Sequence, residues 1–167
     1  MVLGKFDADD LLDVAVADAA ANRVEVLVGK GDGTFSAGDV LFFQPHPSAI
    51  ATADLDHDGK LDLVVARREI TGAGTAAIFL GGHDGSLFHG FGALGTVDEP
   101  TAVAARDVNG DGVPDLIVTG GDTNRVVVLI GEGDGTFNPH VEFWDRTGRA
   151  ARETTTVGRT RIRWLGW

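Results

Sequence analysis

Two stretches about fifty residues apart, Asp54-Leu-Asp-His-Asp-Gly-Lys-Leu-Asp62 and Asp107-Val-Asn-Gly-Asp-Gly-Val-Pro-Asp115, place oxygen-bearing side chains at positions 1, 3, 5 and 9 around a glycine at position 6. That spacing suits one kind of chemistry. A hard cation such as Ca2+ gathers about six to eight oxygens at roughly 2.3–2.6 Å, so a short loop must turn sharply and aim alternate side chains inward. Gly59 and Gly112 permit the turn through positive φ without a Cβ penalty. The expected side-chain ligands are Asp54, Asp56, Asp58 and Asp62 in one loop and Asp107, Asn109, Asp111 and Asp115 in the other. Position 7, Lys60 or Val113, would contribute a backbone carbonyl. Without an ion, clustered carboxylates repel one another, and bound metal removes that cost. An Asx turn would explain one such loop; two loops matched at four positions favour metal.

The flanking residues say which kind of loop this is. A helix–loop–helix calcium site opens in the same way but needs a bidentate Glu at position 12. Position 12 here is Val65 or Val118, which cannot bind metal. Dockerin-type loops share the opening and also continue into a helix. Leu63-Val-Val-Ala66 and Leu116-Ile-Val-Thr119 are instead short runs rich in β-branched residues, which predicts buried strands.

The repetition extends beyond the loops. Val28-Gly-Lys-Gly-Asp-Gly-Thr-Phe35 returns as Leu80-Gly-Gly-His-Asp-Gly-Ser-Leu87, with Phe88 displaced by one, and as Ile130-Gly-Glu-Gly-Asp-Gly-Thr-Phe137. A period near fifty residues means an array of supersecondary units. Asp-Gly between apolar runs is a hairpin signal, so strands are predicted over 24–28, 76–80 and 126–130. Further strands over 49–53 and 101–105 precede the acidic loops. Each unit reads as strand, acidic loop, strand, variable loop, strand, Asp-Gly turn, strand, which is the four-stranded antiparallel blade of a β-propeller. The expected fold is all-β, with about three blades at about 1–45, 46–98 and 99–143. In the first, Lys5 and Asp10 replace the leading Asp and the glycine. Asp7, Asp9 and Asp13 remain as a degenerate copy, in which Lys5 can supply charge in place of an ion.

These loops and turns resemble the FG-GAP or VCBS repeats of integrin α-subunit propellers and of many secreted bacterial proteins, over about residues 1–143. The resemblance implies that the loop joins two strands of one blade and binds Ca2+, and that the ligand is protein or carbohydrate. Such propellers usually close with about seven blades, whereas this chain holds three. Terminal units of a repeat array need capping or a partner, so self-association is expected, most simply a homodimer of three blades each.

A chain of 167 residues with 43% hydrophobic content can bury one sizeable core. The net charge of −11 argues against nucleic acid, which needs a basic face. No apolar stretch is long enough for a membrane-spanning helix. No signal peptide is visible, so the chain reads as a piece of a longer protein. The absence of cysteine excludes a disulfide scaffold. Modest-affinity calcium loops suit an extracellular or secreted setting. After Phe143 the chain becomes arginine-rich and loses the repeat; residues 144–167 read either as an out-of-frame end or as a basic strand docked on acidic blades.

Catalytic chemistry is not expected. The histidines form no spaced metal pair, and there is no cysteine nucleophile, nucleophile elbow or Walker loop. The expected function is a non-enzymatic calcium-binding module for binding or adhesion, with structural Ca2+ at two sites. The alternatives are the non-catalytic portion of a larger secreted enzyme, or a lectin in which Trp144, Trp164 and Trp167 stack on sugar.

Overall fold

The computed structural model describes residues 1–42, 46–69, 73–82, 88–121, 125–138, 142–144 and 150–152. The predicted turn at Asp84-Gly85 and most of the tail, including Trp164 and Trp167, lie outside these residues. The described chain is all-β, built from three four-stranded antiparallel sheets with propeller-like blade topology.

Blade 1 is the meander β1 (Val2–Gly4), β2 (Asp13–Asp18), β3 (Arg23–Gly29) and β4 (Phe35–Phe42). Blade 2 repeats it with β5 (Pro47–Ala53), β6 (Asp62–Arg68), β7 (Gly74–Gly81) and β8 (Phe88–Gly95). Blade 3 has β9 (Pro100–Arg106), β10 (Asp115–Gly120), β11 (Val126–Gly131) and β12 (Phe137–Asn138). Beyond it, β13 (Glu142–Trp144) lies near β11 and pairs with β14 (Ala150–Arg152) in a separate two-stranded sheet. The acidic loops join the first and second strands of each blade, as the sequence predicts.

The blades share equivalent strand pairings. Val14 pairs with Leu27, Leu63 with Phe79, and Leu116 with Leu129. Phe35, Phe88 and Phe137 face Gly29, Gly81 and Gly131 in turn. Phe88 thus keeps the place of the aromatic despite its one-residue displacement in the sequence.

The core lies between blades. One cluster joins blades 1 and 2 through Phe6, Val24 and Val26 against Leu63, Val65 and Phe88, with the Phe6 and Phe88 rings 5.3 Å apart. The other joins blades 2 and 3 through Leu55, Val64 and Ile78 against Leu116, Val118 and Phe137. Alternate side chains of a strand point to opposite faces. Blade 2 is sandwiched on both, so β6 is buried continuously from Asp62 to Ala66. The matching β2 alternates between buried and half-buried positions.

Candidate metal centre

The loop between β5 and β6 brings three predicted ligands together: Asp54, Asp56 and Asp58 each present a carboxylate oxygen, all within 4.8 Å of one another. Backbone amides fold the loop around them. The Asp58 N–H donates to Asp54 Oδ1 at 3.1 Å and Asp56 Oδ1 at 3.2 Å, and the Gly59 N–H donates to Asp54 Oδ2 at 3.0 Å. The Lys60 N–H reaches Asp58 Oδ1 at 2.7 Å, while its ammonium donates to the Gly82 carbonyl. Gly59 has φ +88, as the turn requires. Position 4 is also left-handed, with His57 at φ 60. A non-glycine there costs about 1–2 kcal/mol, and His57 stays exposed with its ring near Gly133 of blade 3.

An all-oxygen set at this spacing fits a hard cation: ligand oxygens at roughly 2.3–2.6 Å from one ion lie within about 5 Å of each other. The three carboxylates are exposed or half-buried, so an ion could reach them from solvent.

The loop between β9 and β10 follows the same path with different end groups. The Gly110 and Gly112 N–H groups donate to Asp107 Oδ1 at 2.7 Å and Oδ2 at 2.9 Å, holding that carboxyl below the usual carboxylate range. Both glycines have positive φ, +85 and +88. The Val113 N–H donates to Asp111 Oδ1 at 2.8 Å, the counterpart of the Lys60 bond. Asn109 donates its amide nitrogen to Asp111 Oδ2 at 2.7 Å, and its Oδ1 accepts the Asp111 N–H at 2.9 Å. Among the described residues, only the loop at 54–58 gathers three acidic oxygens this closely.

The loop of blade 1 departs further. Ala8 and Asp10 stand where the other loops turn left-handed, and neither is among the positive-φ residues. The Asp9 N–H donates to Asp7 Oδ1 at 2.9 Å. Lys5 does not sit among Asp7, Asp9 and Asp13. Its ammonium pairs with Asp10 at 2.9 Å in solvent, and this partner lowers the Asp10 pKa.

Position 9 has a job that the spacing alone does not reveal. Asp13, Asp62 and Asp115 are fully buried. Each bridges two backbone amides, one at position 2 of its own loop and one on the glycine ending the third strand of the blade. The position-2 donors are Phe6 at 2.8 Å, Leu55 at 2.6 Å and Val108 at 2.9 Å. The glycine donors are Gly29 at 2.9 Å, Gly81 at 2.8 Å and Gly131 at 2.9 Å. The carboxylate therefore ties the acidic loop to the next hairpin in every blade, including the one with a degenerate loop. Burial pushes the Asp62 carboxyl up to about 6, with the charges of Asp56 and Asp58 adding to the rise against the two amides. The glycines are the functional positions that sequence reading missed: a Cβ on Gly29 or Gly131 would stand 2.2 or 2.3 Å from the Leu12 or Pro114 carbonyl oxygen. Their signal was the first glycine of the repeated turn, Gly-x-Gly-Asp-Gly after Gly29 and Gly131 and Gly-Gly-His-Asp-Gly after Gly81.

Asp32 and Asp134 belong to those hairpin turns. Each accepts the N–H and hydroxyl of the threonine two residues on, Thr34 or Thr136, which keeps its carboxyl below the usual range.

None of the curated proteins matches the chain. A family model of the FG-GAP-like repeat does, three times, over residues 5–65, 54–118 and 107–158. Each match begins at or near an acidic loop. The three loops set between the first two strands of successive four-stranded blades, together with those matches across most of the sequence, show that the chain belongs to the FG-GAP-like repeat family.

Proposed function

We propose that this repeat module binds Ca2+ as a structural ion and serves as a binding or adhesion unit for a protein or carbohydrate ligand, without enzymatic activity. The observation that carries the reading is the convergence of the Asp54, Asp56 and Asp58 carboxylates within 4.8 Å. These three would hold the ion, helped by the Lys60 carbonyl. Asp62 would complete the set with the lone pairs that its two amide bonds leave, since a carboxylate has about four acceptor sites. Ca2+ supplies the charge that offsets repulsion among the carboxylates, and it stabilises the folded blade by mass action. The loop at 107–115 is proposed as a second, weaker site, because the Asn109 amide must turn its oxygen inward to ligate. The blade 1 loop is assigned no ion.

Loops of this kind fill where Ca2+ approaches millimolar, so the proposed setting is extracellular. Among the described residues no helix is long and apolar enough to cross a membrane. The acidic chain is assigned no nucleic-acid partner, and we propose that it self-associates. Calorimetric titration of Ca2+ into EDTA-stripped protein tests the ion assignment. Saturable binding is expected, and it should be lost at the tighter site in the Asp56→Asn, Asp58→Asn double variant. A wild-type chain that takes up no Ca2+ at millimolar concentration overturns it.

A further inference from the structure

We propose that the acidic loop of blade 2 is held ready for its ion by the hairpin turn of blade 3, with Gly133 and Gly135 as positioning residues, so that Ca2+ binding and the seating of one blade on the next strengthen each other. The inference rests on the ion assignment proposed above and extends it across the junction between the two blades.

Alternate residues of the loop have different tasks. Asp54, Asp56 and Asp58 present the clustered carboxylates, whereas Leu55 and His57, which lie between them, meet blade 3. The Leu55 peptide is held on both sides: its N–H donates to Asp62 Oδ2 at 2.6 Å, and its carbonyl accepts the Gly135 N–H at 3.1 Å. The strand ladders all stay within blades. Among the described residues, the bond from Gly135 to Leu55 is therefore the one backbone hydrogen bond that crosses from blade to blade. The Leu55 side chain is buried in the cluster that also buries Phe137 of blade 3.

The strained residue of the loop makes the second contact. His57 adopts a left-handed φ of 60 at the position where the next loop has Gly110, and glycine takes such angles without steric cost. A Cβ on Gly133 would stand 3.3 Å from His57 Cδ2, so the imidazole lies against the blade 3 turn.

That turn is a firm seat because its own blade closes it. The Glu132 N–H donates to the Thr136 carbonyl at 3.0 Å, Asp134 accepts the Thr136 N–H at 2.9 Å, and the Gly131 N–H is tied to Asp115. It also fits closely against blade 2, where a Cβ on Gly135 would stand 3.2 Å from Leu80 Cδ2 and 3.4 Å from Phe91 Cε1. A loop braced from outside loses less freedom when it closes on an ion, which is how preorganisation raises affinity. By linkage, an ion that binds the seated loop better strengthens the seat by the same factor.

Two matched variants test the brace. Gly135→Ala directs a methyl at Leu80 and Phe91 and strains a φ of +80, whereas Gly33→Ala imposes the same backbone strain at φ +86 in the blade 1 turn, where nothing stands within 4 Å. In calorimetric titration with Ca2+, Gly135→Ala should raise the dissociation constant of the tighter site by about fivefold or more, the lower end of ordinary coupling between sites, and Gly33→Ala should leave it within about twofold. In the wild-type chain, the Gly135 amide should exchange with solvent about tenfold more slowly in saturating Ca2+ than in EDTA, read by NMR. A dissociation constant unchanged by Gly135→Ala, an equal rise in Gly33→Ala, or a Gly135 exchange rate indifferent to Ca2+ overturns the positioning role and leaves the ion assignment standing. A wild-type chain that takes up no Ca2+ overturns the ion assignment and this inference with it.

Discussion

Position 9 of the acidic loop shows how one carboxylate can serve structure whether or not an ion is bound. Asp13 sits in the blade whose loop lacks the turning glycine, yet it makes the same two amide bonds as Asp62 and Asp115. Replacing it with Asn keeps the shape but turns an NH2 group toward one of two buried N–H donors. Leaving a buried donor unsatisfied costs about 1–3 kcal/mol. Asp13→Asn should therefore lose that much stability in urea unfolding, equally with Ca2+ and with EDTA; an undiminished midpoint would contradict the tie. The spacing of acidic residues was legible as a metal-loop pattern because the whole loop lies within nine residues. The tie was not, because its glycine partner lies 16–19 residues away and only the folded hairpin brings it back.

At the scale of elements, the strands were readable because short β-branched runs alternate with Asp-Gly turns. The predicted strands over 24–28, 76–80 and 126–130 fall inside β3, β7 and β11. What the pattern could not reveal is which face each strand buries and against what. The second strands at 63–66 and 116–119 both read as apolar runs, but of the two only β6 has a described blade on each side. Phe35 and Phe137 look identical in sequence, and their surroundings separate them. Phe137→Ala removes a ring buried against blade 2 and should cost about 3–5 kcal/mol. Phe35→Ala, at a face with no internal neighbour, should change the stability of the isolated chain by about 0.5 kcal/mol or less. Urea unfolding of both variants at concentrations where the chain is monomeric checks this, and equal losses would contradict the assignment of the open face.

For the whole molecule, three blades with interfaces between neighbours make a short array whose stability depends on each loop holding its hairpins in place. Repeat identity was legible because it is spread over the full period. The unequal fitness of the three loops for metal was legible only in part: Lys5 and Asp10 marked the first as degenerate, while the turned amide of Asn109 required coordinates. Ca2+ at Asp54, Asp56 and Asp58 is proposed to stabilise the blade. At about a hundred times the dissociation constant, one bound ion adds about 2.7 kcal/mol, which for a chain of this size is about 5–10 °C in melting temperature. The most direct measurement is thermal unfolding of the wild-type chain in saturating Ca2+ and in EDTA. A melting temperature higher in Ca2+ by about that amount, with the difference sharply reduced in the Asp56→Asn, Asp58→Asn double variant, is the predicted result; the same melting temperature in both conditions would contradict it.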